Sequence, residues 1–514
     1  MEPIILSGNQ LTIDQVIAVT KGFPVSLDPS VIPSIQRSRL AVERLISENR
    51  IAYGITTGFG RFKDKVITAE QVKQLQVNLL RSHAVGVGPL LDDEIVRAMM
   101  LVRANTLALG FSGVRIEVIQ LLIDMLNHSI HPCIPSQGSL GASGDLAPLA
   151  HMGLVMIGEG TARYHGQVMN GAEALAQCGL NPLQLGPKEG LAIINGTSQM
   201  VGMGALTVHR AANLSLTADI AACLSIEALY GTDRALDPRV HELRPHPRQI
   251  DCAAFMRKVL QGSQMLRSND PFNVQDAYTL RCVPQVHGAI RDAIAYTEWV
   301  IGIEMNSVND NPIIFCDQDN NEIDVISAGN FHGEPVAIAM DYLKLALTEL
   351  GNMSERRIAR LVDADSNGGI LPMFLTEHGG LESGMMIAQY TAAALASENK
   401  VLAHPASADS IPTSANVEDH VSMGATAVRQ AQQILEHAEM IITIELILAA
   451  QGIDFRKRSL PLNQQQQGKG TSAAYHLIRQ NVPFLQEDTS LAPYIEKVRQ
   501  KVADGSFAAI SHQL

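Results

Sequence analysis

The stretch 200–229 carries only Arg210, Asp219 and Glu227 as full charges. A helix with one wet face alternates apolar and charged positions at a period near 3.6, so this segment predicts a helix buried on nearly all sides. Such a helix needs neighbours around it, which places it at the centre of a bundle. The neighbours are legible further along. After Gly333, the residues Val336, Met340, Leu343, Leu347 and Leu350 recur at alternating spacings of four and three, the packing seam of a second long helix. Similar helices are expected over 284–305, 383–402 and 419–451, the last stopped by Gly452, with a final helix over 490–504. Nearer the start, Thr68 and Gln71 form a capping box for a helix reaching about Ser82, and another helix is expected over 92–109. No segment sustains period-two alternation, so strands should be short and few.

The expected fold is therefore mainly α. It has a smaller N-terminal helical and loop region over 1–195, a long central helical bundle over 196–455, and a C-terminal helical extension over 456–514. No Pro/Ser-rich linker or long charge run divides the chain, and no internal repeat is present. The run Gln464-Gln465-Gln466-Gln467 reads as an exposed loop.

Composition narrows the function. Only 18% of residues are charged, against a typical ~25%. With 46% apolar residues, this implies that much of the surface is hidden in subunit contacts. A net charge of -13 argues against a nucleic-acid partner, and Arg456-Lys457-Arg458 reads as a solvated helix end. The six cysteines include no Cys-x-x-Cys pair, which suits reduced thiols in the cytoplasm. His128-x-x-His131 beside Cys133 has no further ligands close in sequence, so no metal is expected. The opening Met1-Glu2-Pro3-Ile4-Ile5-Leu6-Ser7 has neither a basic start nor a long apolar core, so export is not expected. The uncharged stretch 190–209 is interrupted by Asn195-Gly196-Thr197-Ser198-Gln199, which argues against a membrane span.

Chemistry concentrates in Gly138-Ser139-Leu140-Gly141-Ala142-Ser143-Gly144-Asp145-Leu146-Ala147-Pro148-Leu149. In a tightly bent loop the Gly144 nitrogen can attack the Ala142 carbonyl, and dehydration of Ser143 then leaves an electron-poor methylidene-imidazolone ring. Glycine offers an unhindered nitrogen and tolerates the compressed turn, alanine keeps the carbonyl open, and serine supplies the hydroxyl to eliminate. The plainer alternative is a Gly/Ser turn opening a helix, with Asp145 and Pro148 in its first turn. A serine-hydrolase elbow is excluded by the missing second glycine, and Gly468-Lys469-Gly470-Thr471 misses the phosphate-loop pattern by an inserted glycine.

The twelve-residue string closely resembles the signature of the histidine and phenylalanine ammonia-lyases, and four further strings extend the resemblance over about residues 5–450. They are Tyr53-Gly54-Ile55-Thr56-Thr57-Gly58-Phe59-Gly60, Asn195-Gly196-Thr197-Ser198, the segment from Val274 through Arg281 to Gly288, and Gly329-Asn330-Phe331-His332-Gly333. The resemblance implies a 4-methylidene-imidazol-5-one formed autocatalytically from Ala142, Ser143 and Gly144, with no external cofactor. It implies that Tyr53 in a glycine-rich lid is the base, and a base requires a phenol pulled below its ordinary value near ~10. From sequence alone Asn195 caps the central helix, whereas the resemblance sets it beside the ring and the substrate carboxylate. Arg281 would clamp that carboxylate through its planar fork, with Gln275 and Tyr278 facing the same site. Phe331 would pack over substrate and ring.

Two positions address the substrate side chain. His83, in Arg81-Ser82-His83-Ala84-Val85-Gly86, resembles the histidine-specific branch, although some tyrosine-specific relatives share it. Glu418, in Ser414-Ala415-Asn416-Val417-Glu418-Asp419-His420, stands where that branch carries glutamate and the phenylalanine and tyrosine branches usually carry glutamine. A carboxylate can pair with an imidazolium or accept its N–H, while a phenyl ring would leave the charge uncompensated. Val417 departs from the glutamine common in the histidine branch, so a hydrogen bond near the pocket is expected to be missing. The implied reaction is elimination of ammonia from L-histidine to give trans-urocanate, the first step of histidine degradation. The implied assembly is a homotetramer whose active sites each draw on three subunits. The alternatives are a phenylalanine or tyrosine ammonia-lyase or aminomutase using the same ring, and a catalytically silent helical scaffold.

Overall fold

The computed structural model describes residues 2–58, 60–62, 64–268, 270–271, 273–320 and 322–514. Phe59 of the glycine-rich string around Tyr53 and Met1 of the N-terminal segment lie outside them. The described residues form two compact units, each assembled from separate stretches of chain. One comprises the chain up to Thr207 with Thr297–Asp341 and Pro405–Arg429; the other comprises Val208–Tyr296, Tyr342–His404 and Gln430–Leu514.

The first unit holds every described strand. The strands are short and form four small sheets, among them a parallel pair, Ile4–Leu6 with Val25–Leu27, and a hairpin, Ile313–Cys316 with Ile323–Ile326. Around them pack helices including Ile32–Ser47, Ala69–His83, Asp93–Ala108, Ile116–Asn127 and Leu146–Met156. Thr68 is the N-cap of Ala69–His83 as expected, but its side chain makes no capping bond. The helix expected over 92–109 runs Asp93–Ala108 and is buried from Ile95 to its end, Arg97 and Arg103 included.

Among the described residues the second unit has helices, joined by loops, and no strand. The helix expected over 200–229 is Ser198–Ala228, which continues into this unit, and its three charges explain how so apolar a helix tolerates them. Arg210 makes a two-pronged pair with Glu439 at 3.0 and 2.7 Å. Asp219 accepts from His287 Nδ1 at 2.6 Å and is also bonded by Arg291. Glu227 accepts from the Gly468 amide at 2.7 Å. Each buried charge therefore has a partner, without which it would not be tolerated there.

The seam residues Val336, Met340, Leu343, Leu347 and Leu350 are all fully buried on helix Glu334–Val362. Two boundaries and one loop differ from expectation. Gly452 does not stop its helix, which spans Gly424–Ser459. A Cβ there would stand 3.2 Å from Ala228 Cβ and 3.1 Å from Leu371 Cδ1, so this glycine serves close packing rather than termination. The same helix begins five residues later than Asp419, because Thr413 and Glu418 pair as a β-bridge and Met423 has φ 54°. The glutamine run is not simply exposed. Gln465 Nε2 donates to Lys457 O and Leu460 O at 2.8 Å, closing that helix's C-terminus, and Gln467 is buried. No helix among the described residues is long and apolar enough to cross a membrane.

Candidate active site

The reactive string turns through three glycines with left-handed φ, Gly138, Gly141 and Gly144 at 126°, 67° and 76°. It is held from two sides. On one side Ser422 Oγ donates to Gly141 O at 3.0 Å and the Met423 amide donates to Leu140 O at 2.8 Å. On the other, the Asp145 amide donates to Gly196 O at 2.7 Å, and Gly144 and Gly196 form a parallel bridge. A Cβ on Gly144 would lie 2.1 Å from Gly196 O and 2.7 Å from Gly196 Cα, so any side chain is excluded there.

Asp145 is fully buried and stands at the N-cap of its own helix Leu146–Met156, as expected, but its side chain makes no bond there. Its Oδ2 accepts the Gln199 and Met200 amides, both at 2.9 Å, and so caps helix Ser198–Ala228. That corrects the capping role expected of Asn195. Asn195 terminates the short helix Glu189–Ile194, and its Nδ2 donates to Ser143 O at 3.4 Å. The reactive loop and the N-terminus of the longest buried apolar helix are thereby one structure, and the helix dipole points its positive end at the loop. Burial pushes the Asp145 carboxyl up to about 7, partly offset by the two amides and the Ser139 hydroxyl.

Two adjoining cavities of about 770 and 640 Å³ open over the loop and share Tyr53, Gly60, Ser143, Asn195 and Glu418. The first adds His83; the second adds Ala142, Phe331 and Val417. Ser143 Oγ donates to Glu418 Oε1 at 2.9 Å, and Thr413 Oγ1 donates to Glu418 Oε2 at 3.2 Å. Glu418 is presented by a turn in which Ser414, Ala415 and Asn416 all have φ between 52° and 63°. Three L-residues in succession in that region are unfavourable by roughly 1–2 kcal/mol each, the kind of strain that persists where geometry is over-determined.

Tyr53 Oη accepts from the Gly60 amide at 3.4 Å. Its phenol is raised rather than depressed, first by burial and further by the Glu418 charge, against the weaker opposing effect of the Gly60 bond. The Gly60 amide pulls the phenol down, but burial outweighs it, so the phenol is not lowered as a base requires. His83 Nδ1 donates to Leu79 O at 2.9 Å, and burial holds its imidazole below the ordinary value.

The segment with Gln275, Tyr278 and Arg281 lies in the second unit and lines neither cavity. It is nonetheless firmly built. Asp276 accepts from Arg267 Nη2 at 2.8 Å and from the Thr232 amide at 2.8 Å, and the Asp276 carbonyl accepts from Arg281 Nε at 3.0 Å. The Arg281 guanidinium lies 4.5 Å over the Tyr278 ring, and Tyr278 is 71% exposed. Among the described residues the group of three potential metal ligands is Asp219, Cys252 and His287, also in this unit, where Arg291 already supplies the positive charge.

Sequence reasoning missed Asp145 as the cap, Thr413 and Ser422 as supports, and Arg103 behind Asn195. Arg103 alone left a trace, as a single cation following the apolar run Met99-Met100-Leu101-Val102.

This fold and loop define an enzyme class. The sequence model of the aromatic amino acid lyase family matches residues 11–480, and the chain belongs to that family. The histidine ammonia-lyase of Chloroflexus aurantiacus is 59% identical over 510 residues, covering 98% of this chain and 97% of its own. The crystal structure of histidine ammonia-lyase from Trypanosoma cruzi is 38% identical with a TM-score of 0.90, covering 100% of this chain and 95% of that one. A tyrosine aminomutase from Streptomyces globisporus is 37% identical with a TM-score of 0.93, covering 100% and 99%.

Proposed function

We propose that this chain is a histidine ammonia-lyase, eliminating ammonia from L-histidine to give trans-urocanate. The observation that carries this reading is the contact of Ser143 Oγ with Glu418 at 2.9 Å, which sets the substrate selector against the reactive loop in a cavity shared with Tyr53 and Asn195. The loop suits the prosthetic ring: Gly144 has no room for a Cβ, and Ala142 and Ser143 both line the cavity. A 4-methylidene-imidazol-5-one from residues 142–144 supplies an electron-poor carbon able to accept a nucleophile from the substrate.

The remaining work falls to ordinary side chains. Glu418 and His83 hold the imidazole, Asn195 contributes a donor beside the carboxylate, and Phe331 walls the second cavity. Tyr53 takes the β-proton. Its phenol needs a nearby cation to ionise, and Arg281 is the arginine for both that role and the carboxylate clamp. Because Tyr278 and Gln275 are exposed and Arg281 is half-buried in the second unit, they complete the site of another copy within a homotetramer.

Incubation with histidine, tyrosine and phenylalanine in turn, followed by product ultraviolet absorbance, tests the substrate. Turnover of histidine with a mature mass lower by two waters, about 36 Da, is expected. Turnover of tyrosine with silence toward histidine would sink the assignment in favour of an aromatic ammonia-lyase or aminomutase, and an unmodified mass would point to a silent scaffold.

A further inference from the structure

Arg103 is among the largest fully buried side chains of the molecule. Its Nη1 donates to Asn195 O at 3.0 Å and Asn309 Oδ1 at 3.3 Å, while its Nε and Nη2 are buried without a protein partner. The carboxylate nearest in effect, Asp310, is already bonded to the fully buried Lys188 Nζ at 2.6 Å. Two buried cations thus share one carboxylate. Glu304, the other acid of this region, is engaged by Thr197 Oγ1 at 2.6 Å, and Asn309 Nδ2 donates to the same Thr197 oxygen at 2.9 Å. A buried cation with unsatisfied donors is unfavourable for folding alone.

Its position gives it a use. A Cβ on Gly196 would lie 2.2 Å from Arg103 Nη1, and the other side of Gly196 is pressed against Gly144. Guanidinium, Gly196 and Gly144 are therefore stacked with one layer of backbone between the cation and the reactive loop. The loop cannot relax backward, and the residue bonded by Arg103, Asn195, is the one whose side chain reaches Ser143 O.

We infer that Arg103 is a positioning residue for maturation of the 142–144 loop, bracing Asn195 and Gly196 so that the Gly144 nitrogen is held toward the Ala142 carbonyl. The inference rests on the reading that residues 142–144 cyclise with loss of two waters. One water carries off the Ala142 carbonyl oxygen with the two Gly144 and Ser143 amide hydrogens that the new C–N and C=N bonds displace, and the other carries off the Ser143 hydroxyl with its α-hydrogen.

Intact mass of purified full-length protein reads the matured fraction directly. Wild type is expected to be fully shifted by about 36 Da. Arg103→Met is expected to fold, to mature at least about tenfold more slowly, and to lose kcat in proportion with KM unchanged; Arg103→Lys should recover part of both. Full maturation and normal turnover in Arg103→Met overturns the inference, and so does a lysine variant no better than methionine. If Arg103→Met does not fold, Asn309→Ala decides: it removes the second acceptor that holds the guanidinium in place. Slowed maturation supports the inference and an unchanged rate overturns it. A wild type without the mass shift overturns the underlying reading as well, whereas a shifted wild type and equally shifted variants leave that reading standing.

Discussion

The loop 142–144 and the segment 275–281 are both rigidly anchored, yet they present their chemistry in opposite ways. The loop is clamped between Gly196 and Ser422 and faces a cavity built wholly from its own unit. The segment is clamped through the Asp276–Arg267 pair, whose side chains are only 6% and 4% exposed, and turns Tyr278 and Gln275 outward. Under the proposed function these held surface side chains serve the site of another copy. The lesson is that a motif identifies a reacting group without saying which copy of the chain it serves.

The comparison breaks most visibly by subunit mixing. Ser143→Ala and Arg281→Met are each expected to fall below detection, while co-expressed and co-assembled chains should regain about a quarter of wild-type activity, since random pairing restores that share of sites built from two chains. No recovery would place both groups in one chain's site. A smaller effect tests the anchoring. Arg267→Ala leaves the Asp276 carboxylate buried and unpaired and should lower stability by about 3–5 kcal/mol, measured by denaturation at fixed protein concentration, with KM for histidine rising as Arg281 loosens.

The smallest effect probes the loop's own anchor. The Asp145 carboxyl sits at about 7 against 3.8 for the free residue, so between those values the folded chain binds more protons than the unfolded one. Its contribution to stability therefore falls as pH rises from 4 to 7, with a slope of at most about 1.4 kcal/mol per pH unit. Asp145→Asn should remove that slope, read as the difference in apparent Tm between variant and wild type across the interval; a difference independent of pH would refute it.

Long helices were legible because their cause is local and periodic. The seam from Val336 to Leu350 and the nearly chargeless 200–229 stretch state their burial outright. Ends were less legible because they answer to distant residues: Gly452 reads as a stop until Ala228 and Leu371 are seen against it, and the start at Gly424 depends on a bridge between Thr413 and Glu418. Tyr53, His83, Ser143, Asn195, Phe331 and Glu418 each stand in a motif, and each lines one or both of the two adjoining cavities. What no motif carried was the support beneath them. Asp145 and Arg103 act through contacts 54 and 92 positions away in sequence, and the direction of the Tyr53 shift depends on burial and on Glu418.

The meeting of Gly144 with Gly196 carries a consequence for how such a chain can change over generations. Gly144 does not accept even a methyl group, because a Cβ there would meet the backbone of Gly196, which no substitution can shrink, while a Cβ on Gly196 would meet Arg103 Nη1 and Asn309 Oδ1. Residues around the cavity rim, such as His83, Val417 and Glu418, can be exchanged one at a time and so alter what is held. The floor permits no such single steps, so descendants can diverge widely in substrate while inheriting the same two-glycine floor.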